Sequence, residues 1–357
     1  MEPTTTTEPV TAAEAAAMLL ALEAARAPGV PQGPNPRVGC TILSPGGTVV
    51  AVGHHRGAGT PHAEVDALDR AGDAAHGATA VVTLEPCDHT GRTGPCTEAL
   101  LRAGVARVVY ALPDPNAIAA GGARRLREAG VDVVAGPHED EAREVNRGWL
   151  FGLTHDRPLV TWKTATTLDG RVAARDGSSQ WITSAVARRD GQRLRRECDA
   201  VMVGTGTALR DDPSLTVRDA EDRPAPREHQ PLRVVVGSRT VPQGARLRDG
   251  RAELVQVTGD LTHGLASLHD RGIRHVLLEG GPTLAASMLR AGLVDEVVAY
   301  IAPALLGTGP GAVGDLGIGS IGSILRLHDA AVAVLGEGPE LTVRVTATLP
   351  HQPTTQR

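Results

Sequence analysis

The chain has 357 residues, 41% of them hydrophobic but only 2% aromatic, so its cores must be built from Val, Leu and Ala, and the length favours two domains over one. A net charge of −5, with no basic tail and no aromatics interleaved with Arg or Lys, argues against a nucleic-acid platform. No apolar run is long enough to span a bilayer, and the opening MEPTTTTEPVTAAE lacks the basic and apolar regions of a signal peptide. The four cysteines, Cys40, Cys87, Cys96 and Cys198, are few for such a chain, which reads as cytoplasmic with reduced thiols.

In chain order, residues 1–10 are rich in Thr, Glu and Pro and read as disordered. The Ala-rich stretch 11–27 predicts a helix opened by a Thr11/Glu14 capping box and closed by Pro28 and Gly29. Strands follow at 38–43 and 48–52 around the SPGG turn, then a helix at 62–71 and a strand at 78–84. The pattern continues with a helix at 96–103, a strand at 105–111, a helix at 123–129, a strand at 131–134 and a helix at 139–150. This alternation predicts a helix-covered sheet. HDRP, 155–158, reads as a linker, after which the alternation restarts. Strands are expected at 159–165, 200–203, 233–236, 253–257, 275–278, 294–301 and 341–348, with helices at 184–197 and 282–291 and an exposed loop at 219–230. No internal repeat links the halves beyond this layout.

The chemistry of the first half concentrates in PHAEVDAL, 61–68, and TLEPCDHTGRTGPCTEAL, 83–100. His62 stands two positions before Glu64, Cys87 follows a strand, and Cys96 opens a helix. One imidazole and two thiols leave a coordination position open, the plan of a catalytic zinc site. Helix N-termini favour thiolate over thiol. In such a site a glutamate that is not a ligand shuttles protons while the metal acidifies water. The rival is a structural zinc with His89 as fourth ligand. Asn35, His54 and His55 precede the site as candidate pocket residues. In the second half, GTGT at 204–207 and EGGPTLA at 279–285 place small residues at strand ends, where backbone can approach a phosphate closely. Neither is a GxGxxG fingerprint. Arg195 and Arg218 are candidates to clamp a phosphate.

The DHTGRTGP segment, 88–95, separates cysteines that nucleic-acid deaminases place as CxxC. With NPRVGC and PHAEV it resembles the bifunctional riboflavin-biosynthesis deaminase/reductase family. KTATTLDGRVA, SQWITS, GTGTALRDDPSLTVR and LLEGGPTL resemble the family's reductase segments, so the likeness runs over about 15–348. It implies a cytidine-deaminase-like three-layer α/β/α domain over 11–154, with one zinc on His62, Cys87 and Cys96, Glu64 as catalytic group and Asn35 on the substrate. It implies a dihydrofolate-reductase-like α/β domain over 158–350 that uses NADPH. Thr166, Trp181, Thr207, Asp211, Gly281, Pro282 and Thr283 would meet the cofactor. Ser179, Arg195, Arg218 and Glu279 would face a phosphorylated pyrimidine. Lys163 and Asp211 are the polar groups expected at the reacting carbon. The implied reactions are hydrolytic deamination of 2,5-diamino-6-(5-phosphoribosylamino)pyrimidin-4(3H)-one and NADPH-dependent reduction of its ribosyl group to ribityl. The family also implies a homo-oligomer. The alternative is a deaminase whose C-terminal domain is inactive.

Overall fold

The computed structural model describes residues 8–350 apart from 28, 30–32, 92–93, 117 and 220. The expectations for residues 1–7, for Pro28, for Arg92 and Thr93 in the 88–95 segment, and for Ala220 in the 219–230 loop lie outside the described residues. The chain divides into two compact units, Met1–Thr154 and His155–Arg357.

The first unit begins with α1 (Ala12–Ala25), whose capping box is formed: the Thr11 hydroxyl accepts from the Glu14 N–H at 3.2 Å and the Glu14 carboxylate accepts from the Thr11 N–H at 2.8 Å. Then come β1 (Gly39–Leu43), β2 (Val49–His54), α2 (Ala63–Ala71), β3 (Thr79–Leu84), α3 (Cys96–Arg102), β4 (Arg107–Leu112), α4 (Gly122–Glu128) and β5 (Asp132–Ala135). The described strands form one sheet in the order β2-β1-β3-β4-β5, with β1 antiparallel to its neighbours and β3, β4 and β5 parallel. Two glycines show why helices cover both faces. A Cβ on Gly39 would lie 1.9 Å from the Ala21 carbonyl oxygen of α1, and one on Gly53 would lie 2.4 Å from the Ala67 nitrogen of α2. Gly53 pairs with Cys40, the neighbour of Gly39, and successive residues of a strand face opposite ways. The helices therefore sit on opposite sides of the sheet, in three layers. The single helix expected at 139–150 is two, α5 (Glu139–Val145) and α6 (Arg147–Gly152). The fully buried Asn146 between them accepts from the Arg37 N–H at 2.8 Å and donates to the Arg37 carbonyl at 3.0 Å.

The second unit runs β6 (Leu159–Thr167), α7 (Ala185–Glu197), β7 (Ala200–Gly204), α8 (Thr205–Asp211), β8 (Leu232–Val236), β9 (Leu254–Val257), α9 (Leu261–Asp270), β10 (His275–Leu278), α10 (Pro282–Arg290), β11 (Glu296–Ala302), β12 (His328–Leu335) and β13 (Thr342–Thr348). The described strands form one sheet, β12-β13-β11-β6-β10-β7-β8-β9. It is parallel from β11 to β9, and β13 is antiparallel to β11 and β12. Leu194 of α7 packs in a cluster with Val201, Val203, Leu277 and Tyr300. On the opposite face, Leu265 and Leu268 of α9 and Met288 of α10 pack with Val160, Met202, Val276 and Leu278. The sequence pattern places no element over α9 or β12. It reads GTGT as a turn, whereas its last three residues open α8.

The face carrying α9 and α10 is not covered to its end. Rows Ala299–Val345–Val332 and Ile301–Val343–Val334 run across β11, β13 and β12. Val332 is 68% and Val334 63% exposed. No helix of the described residues is long and apolar enough to cross a membrane.

Candidate active sites

In the first unit, the N-terminus of α2, the start of α3 and the loop after β4 gather beyond the C-terminal ends of β3 and β4, the usual place for a site in a sheet with parallel strands. His62 is the residue that caps α2, which puts Glu64 in the first turn. The cavity there has a volume of about 400 Å³ and is lined by Asn35, His55, His62, Glu64, Cys87 and His89 among others. Cys96, 1% exposed, lies behind it.

The His62 Nδ1 is 3.1 Å from the Cys96 Sγ and 3.5 Å from the Cys87 Sγ. Among the described residues these three are the cluster able to hold a metal ion; His89 lines the cavity outside it. The contact from Cys96 holds the Cys87 thiol down at about 4, with His62 assisting. The same contact and burial drive Cys96 well up. Two thiols and an imidazole brought this close form a donor set for a cation. Soft sulfur with nitrogen, at three protein donors, fits catalytic zinc. Glu64 is 3% exposed, and burial, with the Cys87 charge adding, raises its carboxyl to about 7. That value suits a group that takes and returns a proton near neutrality.

Asn35 is placed by His55. The His55 Nδ1 lies 3.0 Å from the Pro61 carbonyl, so it is the donor nitrogen, and its Nε2 accepts from the Asn35 Nδ2 at 3.0 Å. Burial lowers the His55 pKa, which keeps the ring neutral. His54 is the last residue of β2, outside this lining. Asp114 and Asn116, which also line the cavity, were not singled out from the sequence. Burial raises Asp114 to about 6. Glu85 fastens their loop, accepting from the backbone N–H groups of Asp114, Gly121 and Ala123. The available signal was the polar DPN run just beyond a parallel strand.

Two of the cavities in the second unit lie on either side of the Glu279–Gly281 turn. One, of about 700 Å³, is lined by Lys163, Trp181, Arg188, Arg195, Arg218 and Glu279 among others. Arg195 donates to both Glu279 oxygens, at 2.6 and 2.7 Å, and to the Thr216 carbonyl at 3.0 Å. Burial would raise the Glu279 carboxyl, but Arg195 and Lys163 hold it at about 2. Burial pulls the Lys163 ammonium below its ordinary value against the attraction of Glu279. Its Nζ stands 5.8 Å from the centre of the Tyr300 ring, whose hydroxyl donates to Asp190 at 2.6 Å. Trp181 is no core residue: it is 69% exposed, with the Arg188 guanidinium 4.5 Å above its ring.

The other cavity, of about 340 Å³, is lined by Gly204–Thr207, Gly281, Pro282 and Thr283, with Arg210 and Arg239. A Cβ on Gly281 would come 3.5 Å from the Thr207 Oγ1 and one on Gly206 3.4 Å from the Arg239 Nη2. Both are ordinary contact distances, so the two turns of small residues face each other closely, a cradle that fits a phosphorylated nucleotide. Three expected residues lie elsewhere. Thr166 is buried on β6 outside both linings, and Ser179 is exposed outside both. Asp211 does not join Lys163: the C-terminal end of α8 turns it to Arg210, which donates to its Oδ1 at 2.7 Å.

Each unit matches a known family. Residues 12–112 match the cytidine and deoxycytidylate deaminase zinc-binding region, and residues 158–341 match the RibD C-terminal domain. The riboflavin biosynthesis protein RibD of Mycobacterium tuberculosis is 49% identical over 88% of this chain and 91% of its own length. The chain belongs to the RibD family. RibD of Aquifex aeolicus is 42% identical over 85% of this chain and 90% of that one. Acinetobacter baumannii RibD, a solved structure, superposes with a TM-score of 0.81 at 36% identity, covering 95% of this chain and 99% of that one. As a RibD protein, this is a bifunctional riboflavin-biosynthesis enzyme, a deaminase and a reductase. Its fold is the family's cytidine-deaminase-like domain with a dihydrofolate-reductase-like one, and its cofactors are zinc and NADPH.

Proposed function

We propose that residues 11–154 deaminate 2,5-diamino-6-(5-phosphoribosylamino)pyrimidin-4(3H)-one and that residues 158–350 then reduce its ribosyl group to ribityl. A solved Thermotoga maritima relative, 31% identical over 95% of this chain with a TM-score of 0.81, is described as a diaminohydroxyphosphoribosylaminopyrimidine deaminase and 5-amino-6-(5-phosphoribosylamino)uracil reductase. The observation that carries the deaminase reading is the His62, Cys87 and Cys96 trio with the buried Glu64 in one cavity.

His62, Cys87 and Cys96 hold zinc, which when bound supplies an acidified water as nucleophile. Glu64 takes a proton on a carboxylate oxygen and returns it to the amine leaving the ring C2 as ammonia. Asn35, oriented by neutral His55, positions the pyrimidine. In the second unit a bound NADPH would supply a hydride to C1 of the ribosyl group. Thr207, Gly281, Pro282 and Thr283 bind NADPH. Lys163 serves the reacting carbon. Arg195 and Arg218 meet the phosphate, with Glu279 also facing the substrate. The exposed valines and the open edge of β12 support self-association, and the absence of a membrane-spanning helix among the described residues is compatible with a cytoplasmic enzyme.

The test follows ammonia release and NADPH oxidation separately in one reaction, with zinc-loaded protein and the diaminopyrimidine ribosyl phosphate. Ammonia without NADPH, then oxidation once it is added, is the expected result. Ammonia alone would leave a lone deaminase. Neither signal from folded, zinc-replete protein would overturn the substrate assignment.

A further inference from the structure

We infer that Arg239 is the cation that receives the 2′-phosphate of the dinucleotide, and so sets the preference for NADPH over NADH. The inference rests on the cofactor reading of the second cavity. Two arginines line that cavity. Arg210 is spent: it donates to Asp211 through Nε at 2.7 Å and a second guanidinium nitrogen at 3.2 Å. Among the described residues, Arg239 has no carboxylate within ion-pair distance. Its Nη2 lies where it would meet a Cβ on Gly206, 3.4 Å away. The guanidinium therefore overhangs the turn of small residues on which a dinucleotide would rest.

The backbone that presents Arg239 is held in place. Gln256, on the edge strand β9, donates from Nε2 to the Gly237 carbonyl at 2.6 Å and to the Arg239 carbonyl at 2.9 Å. This turn directly follows β8, at the C-terminal end of a parallel strand. A guanidinium with five donors, free of a carboxylate among the described residues and held at its backbone, matches a phosphate dianion. NADH carries a ribose hydroxyl at that position and gives the charge nothing to neutralise.

The test measures binding by calorimetry with adenosine 2′,5′-bisphosphate and with 5′-AMP as the reference lacking the 2′-phosphate. The wild-type protein should prefer the bisphosphate, and Arg239→Gln should erase about tenfold to a hundredfold of that preference. The ratio of kcat/KM for NADPH over NADH should fall alongside it. Arg210→Gln, which removes a compensated charge, should keep the preference. Equal preference in Arg239→Gln and wild type, with both folded by circular dichroism, would overturn the inference. Failure of wild-type protein to bind NADPH at all would instead sink the cofactor reading of the cavity.

Discussion

At the scale of single residues, the two sites make separable demands. Glu64 is buried against the metal-binding trio without belonging to it, so Glu64→Gln should retain zinc while slowing ammonia release by about a hundredfold or more. Zinc content by atomic absorption and ammonia by coupled assay check both halves. Cys87→Ser should lose both zinc and ammonia release. The Arg195–Glu279 pair makes a different prediction. Glu279 is held at about 2, against an ordinary 4.5, so the folded state binds its proton less readily than the unfolded chain. The pair's contribution is complete above the unfolded value and is lost as pH falls from about 4.5 through about 2. Glu279→Gln strands a buried guanidinium, and the loss should be about 3–5 kcal/mol at neutral pH. The mutant's melting temperature should also fall less than the wild type's between those pH values.

At the scale of elements, placement comes from joints. Asn146 interrupts what would be one helix because both halves of its amide are committed to Arg37. Arg37 follows Asn35 by two residues, so the joint between α5 and α6 also anchors the cavity wall. Asn146→Ala would leave a buried N–H and C=O unpaired and should cost about 2–4 kcal/mol. It should raise KM for deamination more than it lowers kcat, a split that steady-state ammonia release would show. The loop after β4 depends similarly on Glu85, whose carboxylate collects three backbone N–H groups. Neither joint leaves a periodic trace, because an amide or carboxylate bonded to distant backbone looks like any loop or helix polar residue.

At the scale of the whole molecule, chelation should abolish ammonia release while NADPH oxidation on the deaminated substrate continues, since the zinc trio lies within Met1–Thr154 and the cofactor cavity within His155–Arg357. The uncovered rows on β11, β13 and β12 bear on assembly. Val332→Lys should shift the protein toward monomer in light scattering without changing its zinc content, because it puts a charge on an apolar face beside an unpaired strand edge.

The local chemistry and most of the element order are legible in the chain's own pattern. His62 with Glu64, and Cys87 with Cys96, stand at helix starts and a strand end, where short-range pattern and motif spacing suffice. The capping box at Thr11 and the proline-led α10 were legible for the same reason. Only the tertiary structure decided what depends on distant partners. It brought Asp114 and Asn116 to the zinc cavity. It exposed Trp181 and set the Arg239 guanidinium beside Gly206. It also revealed β12, whose strand character comes from pairing with β13. The physical reason is that spacing along a chain constrains neighbours within a turn or a strand, whereas burial, ion pairing and sheet edges are set by residues far away in sequence.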